Sequence, residues 1–132
     1  MNAILTILTL LCIPYAAELK PIYSEKQIKT ILNLYGQDIF KGSIIAYEPI
    51  WAIGSDSAAS PEQIEKMCEF IKQLIHTNVR DNDDVNIVYG GSVNAKNAVQ
   101  LCEINGVDGI LMGRASLDAD EFYEICNSIH KI

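Results

Sequence analysis

Apolar positions along this chain fall into four runs, each followed by a stretch with helical spacing. The first run is residues 3–13 (Ala-Ile-Leu-Thr-Ile-Leu-Thr-Leu-Leu-Cys-Ile), followed by a helix expected at about 24–35, with Ser24 as N-cap and Ile28, Ile31, Leu32 and Tyr35 on one face. A second run at about 43–48 leads to a helix at about 61–79, with Ile64, Met67, Cys68, Ile71, Leu74 and Ile75 on its apolar stripe. A third, at about 85–89, leads to a helix at 95–105 with Ala98, Val99 and Cys102 inward and Gly106 as its stop. A fourth, at about 108–112, leads to a helix at about 120–130 with Phe122, Ile125, Cys126 and Ile129 on the buried stripe. Short continuous apolar runs read as strands covered on both faces. Their alternation with helices predicts a parallel α/β sheet with right-handed crossovers.

The second run ends in the chain's most informative residues, Ala46-Tyr-Glu-Pro-Ile-Trp-Ala52. Pro49 lacks a ladder donor and keeps Glu48 extended, so strand and carboxylate end together. A parallel α/β fold places catalytic groups at that end of a strand. The small-residue run Ile53-Gly-Ser-Asp-Ser-Ala-Ala59 follows. It is closed by a strong helix start: Ser60 as N-cap, Pro61 in the first turn and Gln63 reaching back as in a capping box. A loop of that kind between a carboxylate and a firmly capped helix suits a closing lid. Two strands then open into glycine, at Tyr89-Gly-Gly-Ser-Val93 and at Met112-Gly-Arg-Ala-Ser-Leu117. Bare backbone at such a position lets N–H groups approach an anion closely.

Three motifs in order, Ala46-Tyr-Glu-Pro-Ile-Trp-Ala-Ile-Gly54, Tyr89-Gly-Gly-Ser-Val93 and Gly106-Val-Asp-Gly-Ile-Leu-Met-Gly113 with Ala115-Ser-Leu117, closely resemble the triosephosphate isomerase family, densely from about residue 43 onward and loosely over 3–42. The resemblance implies a (β/α)8 TIM barrel and cofactor- and metal-free interconversion of dihydroxyacetone phosphate and glyceraldehyde 3-phosphate, in glycolysis and gluconeogenesis in the cytoplasm. It assigns Glu48 as the base and Pro49, Ile50, Trp51, Ala52, Ile53, Gly54, Ser55, Asp56, Ser57, Ala58 and Ala59 as the lid. Gly54, Ser92 and the backbone at Gly113 and Arg114 would grip the substrate phosphate. Two residues depart from the usual pattern. Asp56 stands where the family has a lid glycine, and its side chain is expected to point outward. Arg114 replaces the second glycine of a Gly-Gly pair and keeps the N–H that the role requires.

Length then changes the picture, since a (β/α)8 barrel takes about 250 residues and this chain has 132. Four strand–helix units make a partial barrel matching the C-terminal half, read here as one domain over residues 1–132. The family's electrophile, an asparagine, a lysine and a histidine, comes from the other half. His76 and His130 read as solvated surface residues, and none of the eight lysines ends a strand at the active face. The chain alone is therefore expected to be inactive, and its open sheet edges to drive self-association. The alternative is a non-catalytic phosphate-binding half-barrel or relic that assembles with a partner.

Residues 1–17 admit a second reading as a secretory signal, with Ala16-Ala17 as a cleavage site, but no Lys or Arg precedes the apolar run and the stretch is too short to span a bilayer. The strand reading is preferred, with Cys12-Ile13 as a loose match to the end of the family's fifth strand. Ten basic against seventeen acidic residues, net −7, argue against nucleic acid and anionic membranes. Cys12, Cys68, Cys102 and Cys126 form no C-x-x-C pair and read as buried thiols, indicating neither metal nor disulfide framework. Asp81-Asn-Asp-Asp84 reads as a solvated turn, short of the oxygen ligands a metal loop needs.

Overall fold

The computed structural model describes residues 8–13, 21–80 and 85–130. Strands β1 (Leu8–Ile13), β2 (Ile44–Pro49), β3 (Asn86–Gly90) and β4 (Gly109–Leu111) form one sheet in that spatial order, and every neighbouring pair is parallel. Sequential order with parallel pairing is the α/β arrangement of barrels; doubly wound sheets reverse direction at a switch point. Helices α1 (Pro21–Tyr35), α2 (Pro61–Asn78), α3 (Ala98–Cys102) and α4 (Ala119–Ile129) occupy the connections and the chain's last stretch.

Register sorts the strand residues into two faces. Ile45 lies opposite Ile87 and Tyr47 opposite Tyr89, while Ala46 faces Val88 and Val88 faces Gly109. The first set packs with the helices: Ile45, Tyr47, Ile87 and Tyr89 share a buried cluster with Ile64, Met67, Ile71 and Ile75 of α2, Ile28 of α1 and Ile125 of α4. Each isoleucine or methionine among them contributes roughly 1.5–3 kcal/mol on leaving water. The Tyr47 and Tyr89 rings meet edge to face, centroids 6.0 Å apart. At the far end of β3, Asp108 accepts the Ile87 N–H at 2.8 Å and pairs with Lys72 of α2, tying helix to sheet.

Helix α2 begins as its sequence dictates. Gln63 N–H donates to Ser60 Oγ at 3.3 Å, and Ser60 N–H donates to Gln63 Oε1 at 3.0 Å. Pro61 occupies the first helical position.

Several expectations need correction. Helix α1 starts at Pro21, not after Ser24; proline's fixed φ suits a first turn, and Ser24 is fully buried with its hydroxyl 3.8 Å from Met67 Sδ. Tyr35 is 69% exposed, because α1 ends there and its last turn has left the core. The helix expected at 95–105 is only Ala98–Cys102, because Asn94 and Asn97 hold the preceding residues in turns. On it Leu101, not Val99 or Cys102, joins Ala98 in the core. On α4 only Ile125 of the expected stripe is fully buried; Ile129 packs partly, while Phe122 and Cys126 are exposed. Of the cysteines whose burial is described, Cys68 is buried as expected, Cys102 is half-buried and Cys126 is exposed; the burial of Cys12 lies outside the described side chains. The first run is strand over Leu8–Ile13; its residues 3–7, the other residues of 1–17 and Asp81–Asp84 lie outside the described residues. His76 and His130 are exposed. Among the described residues, no helix is long and apolar enough to cross a membrane.

Candidate active site

At the carboxyl ends of β2, β3 and β4 lies a cavity of about 730 Å³. Glu48 enters from β2, Ile53 to Asp56 from the loop after it, Gly91 to Asn94 from the loop after β3, and Leu111 to Ala115 from the end of β4; Glu121 of α4 completes the lining. The expected base and all four expected phosphate contacts therefore line one cavity. Of the expected lid, Ile53, Gly54, Ser55 and Asp56 reach it. Ala52 and Ala59 are buried, Pro49 closes β2 and Ile50–Ala52 form a 3-10 turn; Trp51 and Ala58 pack against the core, and Ser57 is exposed.

Glu48 sits where two adjacent strands make room for it. A Cβ built on Gly90 would lie 2.7 Å from Glu48 Cγ and 3.2 Å from its Cδ. Gly90 is thus a space left for the carboxylate, a role that the reading of Gly90-Gly91 as anion-binding backbone missed. The register that sets Tyr47 opposite Tyr89 carries on one residue to set Gly90 beside Glu48. Desolvation raises the Glu48 pKa above the ordinary carboxylate value. A carboxylate moved toward neutrality is a better proton acceptor, as general base catalysis requires.

The loop after β2 is fastened at two points. The Ala59 N–H donates to the Tyr89 hydroxyl at 3.0 Å. Burial holds the Tyr89 phenol above its ordinary pKa while that N–H pulls the other way. The Ser92 hydroxyl lies 2.8 Å from the Ala52 carbonyl and 2.6 Å from that of Ser55, so its proton is turned to the loop. In this arrangement the Ser92 hydroxyl is engaged with the loop after β2. Ser92 also adopts a φ of 50°, uncommon outside glycine, and Asn94 and Asn97 both donate to its carbonyl. Neither the two asparagines nor the Tyr89 latch was foreseen, although asparagine beside a glycine pair is an ordinary turn signal.

Asp56, expected to point outward, is exposed and lies on the loop that lines the cavity, and Arg114, also exposed, lines it from the end of β4. Ser116 N–H and Oγ both bond the Gly113 carbonyl, at 3.0 and 2.7 Å, so Gly113 and Arg114 open a tied 3-10 turn. Arg114 is the one cationic side chain among the described lining residues, which include neither lysine nor histidine. The described residues hold no group of three or more His, Cys, Asp or Glu suited to a metal ion.

The family model described as triosephosphate isomerase matches residues 6–129. The chain belongs to the triosephosphate isomerase family. Similar curated proteins are the triosephosphate isomerases of Buchnera aphidicola subsp. Cinara cedri, 43% identical over 102 residues, and of Baumannia cicadellinicola, 48% identical over 101. Each alignment covers 76% of this chain and 40% of the relative. The enzyme of Legionella pneumophila (strain Lens) is 44% identical over 96 residues, covering 72% of this chain and 39% of its own length. The chain thus spans about two fifths of the curated relatives it matches.

Proposed function

We propose that this chain carries the base and phosphate grip of a triosephosphate isomerase, its four strand–helix units corresponding to the C-terminal half of the barrel as a single partial domain. In this reading Glu48 moves a proton between the two carbons flanking the carbonyl of a phosphorylated triose, in cytoplasmic glycolysis and gluconeogenesis. Gly54, Ser92, Gly113 and Arg114 hold the phosphate through backbone N–H groups, and residues 49–59 are the lid. The observation that carries the reading is the convergence of Glu48, the loop after β2 and both glycine turns on one cavity.

The reading also limits what the chain does alone. Abstracting a proton beside a carbonyl places negative charge on oxygen, which a positioned electrophile must stabilise. No lysine or histidine lines the cavity among the described residues. Losing one oxyanion donor typically costs about 10² to 10³ in rate, so the chain alone should turn over negligibly. The test mixes it with the N-terminal portion of a family relative, supplied as a second chain, and assays triose phosphate interconversion. Activity should arise only in the mixture and vanish with Glu48→Gln. A Glu48→Gln mixture as active as the unmodified one would end the reading.

A second reading, a non-catalytic half-barrel that assembles with itself or a partner, is favoured by the sheet edges. β1 and β4 are the outer strands of the described sheet, and Leu117, Phe122 and Tyr123, in the stretch that follows β4, are exposed. Unpaired strand edges beside apolar surface are a template for another chain. Sedimentation should show association at micromolar concentration; a well-behaved monomer would remove assembly of the chain with itself.

A further inference from the structure

We propose that Asp56 and Arg114 set the cavity's affinity for a phosphorylated ligand as an opposed charge pair, Asp56 lowering it and Arg114 offsetting the loss. The inference rests on the phosphate-binding reading above. Both residues line the cavity.

Neither charge is committed to holding the fold. Both side chains are exposed, and neither belongs to the ion pairs Lys29–Glu25 and Lys72–Asp108. Yet the backbone beneath each is tied. Ser55 and Ser57 flank Asp56 and bond each other, Ser55 Oγ lying 2.6 Å from the Ser57 carbonyl and 3.0 Å from its N–H. The Ser55 carbonyl is held in turn by Ser92 Oγ, which ties the loop after β2 to the loop after β3. Arg114 begins the turn that Ser116 clasps to Gly113. Two free charges on fixed backbone at one cavity act chiefly on whatever enters it.

Their signs oppose. Glu48, Asp56 and Glu121 are the acids of the described lining, against Arg114 alone. The Glu121 carboxylate is partly occupied by the Ala95 N–H at 3.4 Å, and Glu48 lies on the sheet itself. Asp56 is therefore the exposed acid of the three and the one on the loop after β2, where its charge is free to act on an incoming phosphate dianion. A guanidinium binds phosphate oxygens in a fork, and Arg114 is placed to supply the compensating attraction. One unit charge several ångströms from a dianion, in a wet and screened cavity mouth, changes affinity by about 3- to 10-fold.

The test titrates the full chain with inorganic phosphate at slightly alkaline pH and follows the backbone amide resonances of Gly54, Ser92 and Gly113. Asp56→Asn removes its charge with little change of shape, Arg114→Gln removes its charge with a shorter polar side chain, and exposed positions tolerate both without loss of fold. We expect Asp56→Asn to bind phosphate about 3- to 10-fold more tightly and Arg114→Gln to bind it more weakly by a similar factor. The double variant should return close to the unmodified chain, and all differences should shrink as salt is added. Phosphate that still shifts these amides but binds every variant equally would overturn the charge-pair inference and leave the phosphate site standing. Amides unmoved by phosphate in every variant would overturn the phosphate reading, and the charge pair with it.

Discussion

The two faces of β2 and β3 are built from alternate residues of the same few positions, yet they answer to different demands. On the helix side, Ile45, Tyr47, Ile87 and Tyr89 are fully buried and locked against α2. On the other side stand Ile44, Glu48 and Val88, half-buried, the small and fully buried Ala46, and Gly90 between Glu48 and Leu111. The first face has the density and apolar content of a core. The second gives up packing to keep a carboxylate near a cavity. A period-two element lets one strand do both, because a substitution on one face leaves the other face's residues untouched.

The sharpest way to break this contrast is to cut each face once. Ile71→Ala in α2 removes a fully buried side chain from the helix-side cluster, and should cost about 2–5 kcal/mol in chemical denaturation. Gly90→Ala, on the cavity side, forces a methyl to within 2.7 Å of Glu48 Cγ. It should cost about 1–3 kcal/mol and push the Glu48 carboxyl toward water, so that its titration, followed by carboxyl carbon resonance, moves back toward the ordinary value. Ile71→Ala should leave that titration unchanged. If both variants shifted it alike, the separation of the faces would be wrong.

A smaller cut falls at the border between them. Tyr89 belongs to the core by its ring and to the loop by its hydroxyl, which takes the Ala59 N–H. Tyr89→Phe keeps the ring and removes the acceptor, which should cost about 0.5–1.5 kcal/mol. Hydrogen exchange at Ala59 should accelerate while exchange in β2 does not. Equal protection of Ala59 in both proteins would mean that the loop is held by something other than this latch.

Legibility in the sequence followed the same division. Core positions repeat at fixed intervals, so Ile64, Met67, Cys68, Ile71 and Ile75 could be read directly, and their burial agrees. Helix α2 was legible to its first residue because Ser60, Pro61 and Gln63 each carry a separate start signal. Helix α3 was not, since the turns made by Asn94 and Asn97 depend on side-chain bonds that periodicity does not register. Phe122 and Cys126 carried the right spacing, but spacing says nothing about whether a neighbour covers the face. The candidate site was legible as motifs, and the residues lining the cavity include every one named for base and phosphate contact. What the motifs hid was the use of individual atoms: Gly90 as space, the Tyr89 hydroxyl as a latch, the Ser92 hydroxyl turned to the loop.

The smallest effect concerns charge on the cavity face, and pH isolates it. Burial alone raises the Glu48 pKa, so the folded chain holds that proton more tightly than the unfolded chain does. Where the folded state binds more protons, stability falls as pH rises. The loss begins near the ordinary glutamate range, is complete once pH exceeds the raised value, and persists at neutral pH. Glu48→Gln removes the charge and keeps the shape. Its thermal midpoint should therefore lie above that of the unmodified chain at neutral pH, and the gap should close as pH falls through the raised Glu48 pKa into the ordinary glutamate range. Below that range both side chains are neutral and the two curves should meet. Glu48 is partly open to water, which screens the effect, so the gap should be small beside that of Ile71→Ala. A gap that widened on acidification would mean that the carboxylate is stabilised in the folded state, and that the cavity face holds a partner for it.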